Sequence, residues 1–366
     1  MMRGARSSAG VALLLCALAA RAHIVYGTKT LQGLVAEADL VLHARIVALG
    51  DRLGESSDAL AESRPWVEAE VLRVLKGGFE APRVRFAQHG HGVAPFEPGV
   101  ETLLFLVDIA RSRELDALGS AGAYDWVSLQ EHADEYRLRP FTRDSVIAAV
   151  RAYASAPSAP TPAARLAALR EATVALLVSR DPQLAASALR DLVLAPSLPL
   201  VTAQDLPLLE PLLDDKDTSM GVRVGLLAEL ERRKLVDGPP RWLRLLSAEA
   251  PTPDRVTAIR ASAAFASESV RARLIGLLSD PDARVAAAAA SALGSPGNAA
   301  AVKPLRTALS HESSTVRMAA IRGLGGIATA EAMRALESAA VSHPDPETRR
   351  RARAELQKHG AKTAVD

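Results

Sequence analysis

The chain has 366 residues, enough for two domains and a sizeable core. Its hydrophobic fraction is 49% and its aromatic fraction only 4%, an Ala/Leu/Val composition suited to thin, closely stacked helices. With 44 Lys and Arg against 42 Asp and Glu, the formal net charge of +2 favours neither nucleic acid nor an anionic membrane as partner.

Residues 1–22 read as a secretory signal. Arg3 and Arg6 give a positive start, Val11 to Ala20 is a short apolar run, and Ala20-Arg21-Ala22 places small residues where a signal peptidase reads them. The run is too short to span a membrane, and no later segment is long and apolar enough. The expectation is an exported protein, periplasmic or secreted. Cys16 is the only cysteine and lies inside the signal, so the mature chain would have no thiol, disulfide or cysteine metal site. A lipid anchor on Cys16 is a minor alternative, because Leu15 stands where a small residue is wanted.

Thr30 to Ala38 predicts a short helix, with Leu31, Leu34 and Val35 on one face. The period then changes to two. Leu40–Ala48, Trp66–Leu75 and Arg83–Gln88 alternate apolar and polar side chains, and Lys76-Gly77-Gly78 is a turn. Thr102–Val107 is uninterrupted and apolar, as in a strand buried on both faces. Tyr124–Leu129 and Glu135–Leu138 complete five or six strands. No helix of crossover length separates most of them, which predicts a small antiparallel barrel over 23–140. Phe141–Ser155 returns to helical spacing, and Ser155–Pro162 is a Pro-rich linker, so 141–162 joins the barrel to the C-terminal helices.

From residue 163 to 366 the chain reads as helix pairs. Asp282-Ala-Arg-Val-Ala-Ala-Ala-Ala-Ala-Ser-Ala-Leu-Gly294 is echoed by Ser313-Ser-Thr-Val-Arg-Met-Ala-Ala-Ile-Arg-Gly-Leu-Gly325, and again by Glu347–Leu356. A repeat of roughly 30 residues made of two short helices predicts a solenoid, because one unit cannot bury its apolar face alone. First helices align on Leu184, Val222, Val256, Val285, Val316 and Thr348. Asp181-Pro182, Asp280-Pro281 and Asp345-Pro346 each set a capping acceptor before a proline at the first helical position. Gly294 and Gly325 stand where left-handed caps would end first helices.

The string at 280–294 resembles a HEAT repeat, and more narrowly the short HEAT-like repeats first described in phycobilisome lyases. The resemblance implies an α-solenoid whose first helices lie on the convex side and whose second helices line the concave side. It does not imply lyase activity, since nothing marks a bilin-attachment site. Leu34–Val47, Val71–Gly77 and Phe96–Leu106 together resemble the OB-like barrel of exported bacterial proteins, distantly similar to the inhibitory domain of tissue inhibitors of metalloproteinases. Those inhibitors chelate zinc through an N-terminal cysteine, which the mature chain lacks.

Several residues invite a sharper reading. Cleavage after Ala22 would leave His23 at the N-terminus, where amine and imidazole can chelate copper, and His89 and His91 could add ligands; a solvated Gly-rich loop is the more ordinary reading of the latter pair. Gly323-Leu-Gly325-Gly326-Ile-Ala328 fits a dinucleotide fingerprint in form only, since no strand precedes it. Arg349-Arg-Arg-Ala-Arg353 reads as the polar face of a terminal capping helix rather than a nucleic-acid contact. No Gly-x-Ser-x-Gly, His-Glu-x-x-His or phosphate-binding loop is present, and no cofactor is expected. The expectation is therefore a non-enzymatic scaffold of multidomain α and β architecture, an OB-like barrel followed by a HEAT-like solenoid, with another protein as partner. Contact candidates on the second helices are Arg241, Trp242, Arg271, Arg306 and Arg334, although burial in the core is the more ordinary reading of Trp242. The alternative is an inhibitor or metal-binding module acting through the barrel by His23, His89 and His91; a lyase or hydrolase ranks behind it and would need a polar pocket with convergent titratable groups.

Overall fold

The computed structural model describes residues 29–50, 66–88, 96–111, 124–130, 136–247 and 249–363. Strand β1 (Leu40–Gly50) lies at the centre of the first half, paired antiparallel with both β2 (Trp66–Lys76) and β4 (Glu101–Asp108). β3 (Arg83–Gln88) continues from β2, and β5 (Trp126–Ser128) joins β3 to β4. The order β1-β2-β3-β5-β4 closes back on β1, while β6 (Tyr136–Arg137) adds to β4. The pairings are antiparallel as the alternation predicts, with one exception: β3 and β5 run parallel.

Closure follows from the side chains and from the irregular register of β1. Leu40, Leu42, Ala44 and Ile46 turn inward beside Val67, Ala69, Val84, Phe86, Leu104 and Leu106 to fill the barrel. Three register shifts between β1 and β2 add local twist, which curls so small a sheet. β4 is buried on both faces: Leu104 and Leu106 face the barrel interior, and Phe105 meets Tyr136 edge to face at 5.9 Å. Buried Gln130 accepts from Phe105 N at 3.2 Å and donates to Leu103 O at 3.0 Å, occupying backbone groups that would otherwise be orphaned.

Helix α1 (Leu31–Glu37) starts where predicted, capped by Thr30, whose hydroxyl accepts from Gly33 N at 3.0 Å. Lys76 donates to the carbonyls of Val35 at 2.7 Å and Ala38 at 2.6 Å, a cation at a helix C-terminus. The chain can turn there because Gly77 has φ +83 and no Cβ to meet Asp39 O. α2 (Arg143–Ser155) and α3 (Pro162–Leu177) pack on each other, with a 3-10 turn over Ala156–Ser158 in the Pro-rich stretch between them. α4 (Pro182–Leu194) and α5 (Leu206–Asp214) come next in the chain. Both α2 and α4 pack on α1, so barrel and first helices belong to one compact unit ending at Thr218.

A second compact unit starts at Ser219. Its first helices are α6 (Met220–Arg232), α8 (Thr252–Ser262), α10 (Ala283–Ala292), α12 (Ser314–Ile327) and α14 (Pro346–Thr363). Its second helices are α7 (Gly238–Ser247), α9 (Glu268–Gly276), α11 (Val302–Ala308) and α13 (Ala330–Ser342). Each first helix packs on the next first helix, and among second helices α7 packs on α9 and α11 on α13. This is the stacking expected of a HEAT-like solenoid. The aligned positions Val222, Val256, Val285, Val316 and Thr348 are all buried.

The unit boundaries depart from the sequence reading in two places. Asp181 and Asp345 cap as expected, accepting from Leu184 N at 3.3 Å and Thr348 N at 3.0 Å. Before α10, however, the cap is Asp282 rather than Asp280, accepting from Arg284 N at 2.9 Å, and Pro281 stays outside the helix. Asp280 instead accepts from Asp282 N at 3.0 Å and pairs with Arg255. Gly294 and Gly325 are not left-handed caps. Ala328, at φ 55, caps α12, and Gly325 lies inside that helix. The glycines serve close packing: a Cβ on Gly323 would come 2.8 Å from Ala290 O, and one on Gly294 2.7 Å from Gly323 Cα. α10 and α12 therefore meet nearly backbone to backbone.

Adjacent repeats are also tied by polar bonds. Arg317 of α12 donates to Asp345 at 3.0 Å and to Thr348 Oγ1 at 3.0 Å, at the start of α14. Thr252 of α8 donates to Asp282 at 2.5 Å, at the start of α10. Each cap is thus completed from the preceding repeat.

Candidate interaction surface

All five contact candidates fall on second helices, and they meet different fates. Trp242 is fully buried, which corrects its assignment to the surface. On α7, Trp242, Leu245 and Leu246 share the inner face, so the aromatic ring points into the core. Its ring stacks on Phe265 with centroids 5.3 Å apart, and Nε1–H donates to Glu231 at 2.5 Å. Burial pushes the Glu231 carboxyl up, opposed by that hydrogen bond. Arg241 is half-buried with partners of its own. Arg271 is half-buried too, and donates to Ala266 O at 2.6 Å across the turn preceding its helix.

Arg306 and Arg334 are exposed and form no ion pair among the described residues. Lys303, absent from the candidate set, shares both properties. Lys303 and Arg306 stand three apart on α11, hence on one face of the helix. Val302, Leu305 and Ala308 anchor the opposite face.

The chain-wide charge balance conceals a division. Residues 219–366 hold 22 Lys and Arg against 15 Asp and Glu, whereas residues 1–218 hold 22 against 27. The repeats of the second unit are therefore basic and the rest acidic. Averaging over the whole chain hid that signal, which counting by half would have found.

A family model for HEAT repeats matches residues 239–317 and 302–366. The matched segment begins in α7 and includes every helix after it. Among solved structures, a designed armadillo repeat protein is similar at 20% identity with a TM-score of 0.32, over 56% of this chain and 96% of that one. A second designed armadillo repeat protein, in complex with the peptide (KR)4, is similar at 20% identity and a TM-score of 0.33, over 56% of this chain and 96% of that one. No curated protein matches.

Elsewhere, polar side chains are engaged locally. On the barrel, Glu101 receives His43 at 3.1 Å, Arg45 at 2.9 Å and Arg143 at 3.3 Å; the Arg45 hydrogen bond is the main cause that holds its carboxyl below the usual range. Much of the basic run at 349–353 is likewise taken up: Arg349 donates to His343 O at 2.6 Å, Arg351 pairs with Glu347 at 2.7 Å, and Arg353 donates to Ala340 O at 3.1 Å. His23, His89 and His91, the signal at 1–22 and Cys16 lie outside the described residues. Among the described residues, no three His, Cys, Asp or Glu side chains group as metal ligands, and no helix is long and apolar enough to cross a membrane.

Proposed function

We propose that this chain is an exported, non-enzymatic scaffold that binds another protein through the second helices of its repeats. The observation that supports this reading is the exposed cations of α11 and α13, Lys303, Arg306 and Arg334, left without ion pairs among the described residues while the helices' inner faces build the core. Repeat stacks present such extended surfaces, on which affinity comes from many spread contacts rather than one pocket. Export is proposed from the charge, apolar run and small residues of 1–22.

A photo-crosslinking amino acid placed singly at Arg306 and Arg334 of the full chain, in its native host, tests the surface. Polypeptide adducts are expected there and not from Arg260 or Arg322, exposed positions on first helices. Equal adducts at all four positions, or none, would reject the reading. Sequencing of the mature N-terminus tests export, with His23 expected as the first residue.

A further inference from the structure

We infer that the partner offers an acidic, extended segment whose carboxylates lie against Lys303 and Arg306 of α11 and reach Arg334 of α13. The inference rests on the second helices being the binding surface and names the chemistry that this surface selects.

Three observations carry it. The unit holding these helices has seven more basic than acidic side chains, 22 against 15 over residues 219–366. Within it, the second helices hold seven basic against three acidic side chains, and α11 holds two cations and no acid. Arg271 and Arg273 on α9 donate to the backbone carbonyls of Ala266 and Leu246, which leaves their charge without a carboxylate among the described residues. Lys303, Arg306 and Arg334 stand exposed beside them in sequence order.

The spacing suits a polypeptide. Side chains three apart on a helix are about 5–6 Å apart, close to the roughly 7 Å between same-face side chains of an extended strand. Two acidic residues separated by one can therefore address Lys303 and Arg306 together. α13 packs on α11, and neighbouring helix axes lie about 8–10 Å apart. Same-face side chains two and four residues further along an extended chain, about 7 and 13 Å away, bracket that distance, so a further carboxylate can address Arg334.

The same face argues against a nucleic acid. Glu268 stands on α9, and Glu331 and Glu337 flank Arg334 three residues away on either side, all exposed. A phosphate backbone carries a charge at every step and would meet those carboxylates. A polypeptide can space its acidic residues to avoid them. The one tryptophan of these repeats, a stacking platform if exposed, is buried.

The test uses the full chain and three probes: a short peptide alternating Glu and Ser, its Gln counterpart, and a single-stranded oligonucleotide of equal charge. Binding by fluorescence anisotropy should favour the Glu peptide over the Gln peptide by about tenfold at low salt and weaken as salt rises. Lys303→Glu with Arg306→Glu should reduce Glu-peptide binding by about tenfold, and the neutral pair Lys303→Gln with Arg306→Gln by less, with thermal melts showing the fold intact. Arg260→Glu with Arg322→Glu, which makes the same charge change on first helices, should change it by no more than about twofold. Equal loss from both charge-reversed pairs would show a diffuse field rather than a site. Tighter binding of the oligonucleotide would assign the surface to nucleic acid. Crosslinks at Arg306 and Arg334 together with indifference to Glu against Gln would leave the scaffold reading standing and overturn this one.

Discussion

Asp191 is a costly placement in the first unit. It lies on α4 at 5% exposure, one carboxylate oxygen has no partner, and the nearby Tyr153 hydroxyl is buried without one as well. Burial pushes the Asp191 carboxyl up to about 6, against the lowering effects of the Thr30 hydroxyl and the Arg190 charge. An acid raised in the folded state binds its proton more tightly there than in the unfolded chain. Its ionisation therefore opposes folding: the penalty is absent below about pH 4 and complete above about pH 6, with an order of magnitude of about 3 kcal/mol. Asp191→Asn is expected to raise the urea midpoint of the full chain at pH 7.5 and leave it nearly unchanged at pH 3.5. Equal midpoints for variant and parent at both pH values would show that the buried carboxylate is solvated after all. The sequence marked Asp191 only as one more residue of a helix. Its cost arises because Thr30 and Ser187, which accepts from Leu31 N at 2.7 Å, bring the start of α1 down onto α4.

The elements themselves were largely legible, because alternation and helical spacing are local signals. β1 to β4 fall within a residue or two of their predicted bounds, and the cap at Thr30 starts α1 as read. What local pattern could not decide was which of two equivalent residues does a job. Asp280 and Asp282 are both capping acceptors, and only the pairing of Asp280 with Arg255 separates them. Gly294 and Gly325 drew notice as glycines, yet the demand at Gly294 comes from a neighbouring helix thirty residues on. Two substitutions probe that packing. Gly326→Ala would drive a Cβ into Gly294 O and should lower stability by about 1–3 kcal/mol, read as a lower urea midpoint without a changed slope. Ala328→Gly should do the reverse by about 1 kcal/mol, since it relieves an alanine held at φ 55. Trp242 was open to both a core and a contact reading, and its inward face is set by Phe265 and Glu231, which the helix pattern of α7 alone does not reveal.

At the scale of the whole molecule, the division of the chain bears on how it can be cut. Leu31, Leu34 and Val35 are almost fully buried, and α1 packs on α2 and α4. A fragment ending at residue 140 would expose that face, whereas one ending at Thr218 keeps it covered. Residues 23–218 are expected to give a soluble, cooperatively melting protein, and residues 23–140 to aggregate or lack a melting transition. A well-folded 23–140 would show the barrel to be self-sufficient. Of the candidate surface, Arg306 and Arg334 were legible from the second-helix register, whereas Lys303 and the basic bias of the unit were not, because exposed cations leave no periodic trace and the bias emerges only when charge is counted by half. Trp242 also has a practical use. Trp66 and Trp126 belong to the barrel, so replacing those two by Phe would leave one indole for the entire repeat unit. Stacked on Phe265 and bonded to Glu231, that indole has emission tied to the repeats' integrity, which turns a core residue into an intrinsic optical gauge for following the two halves of the chain one at a time.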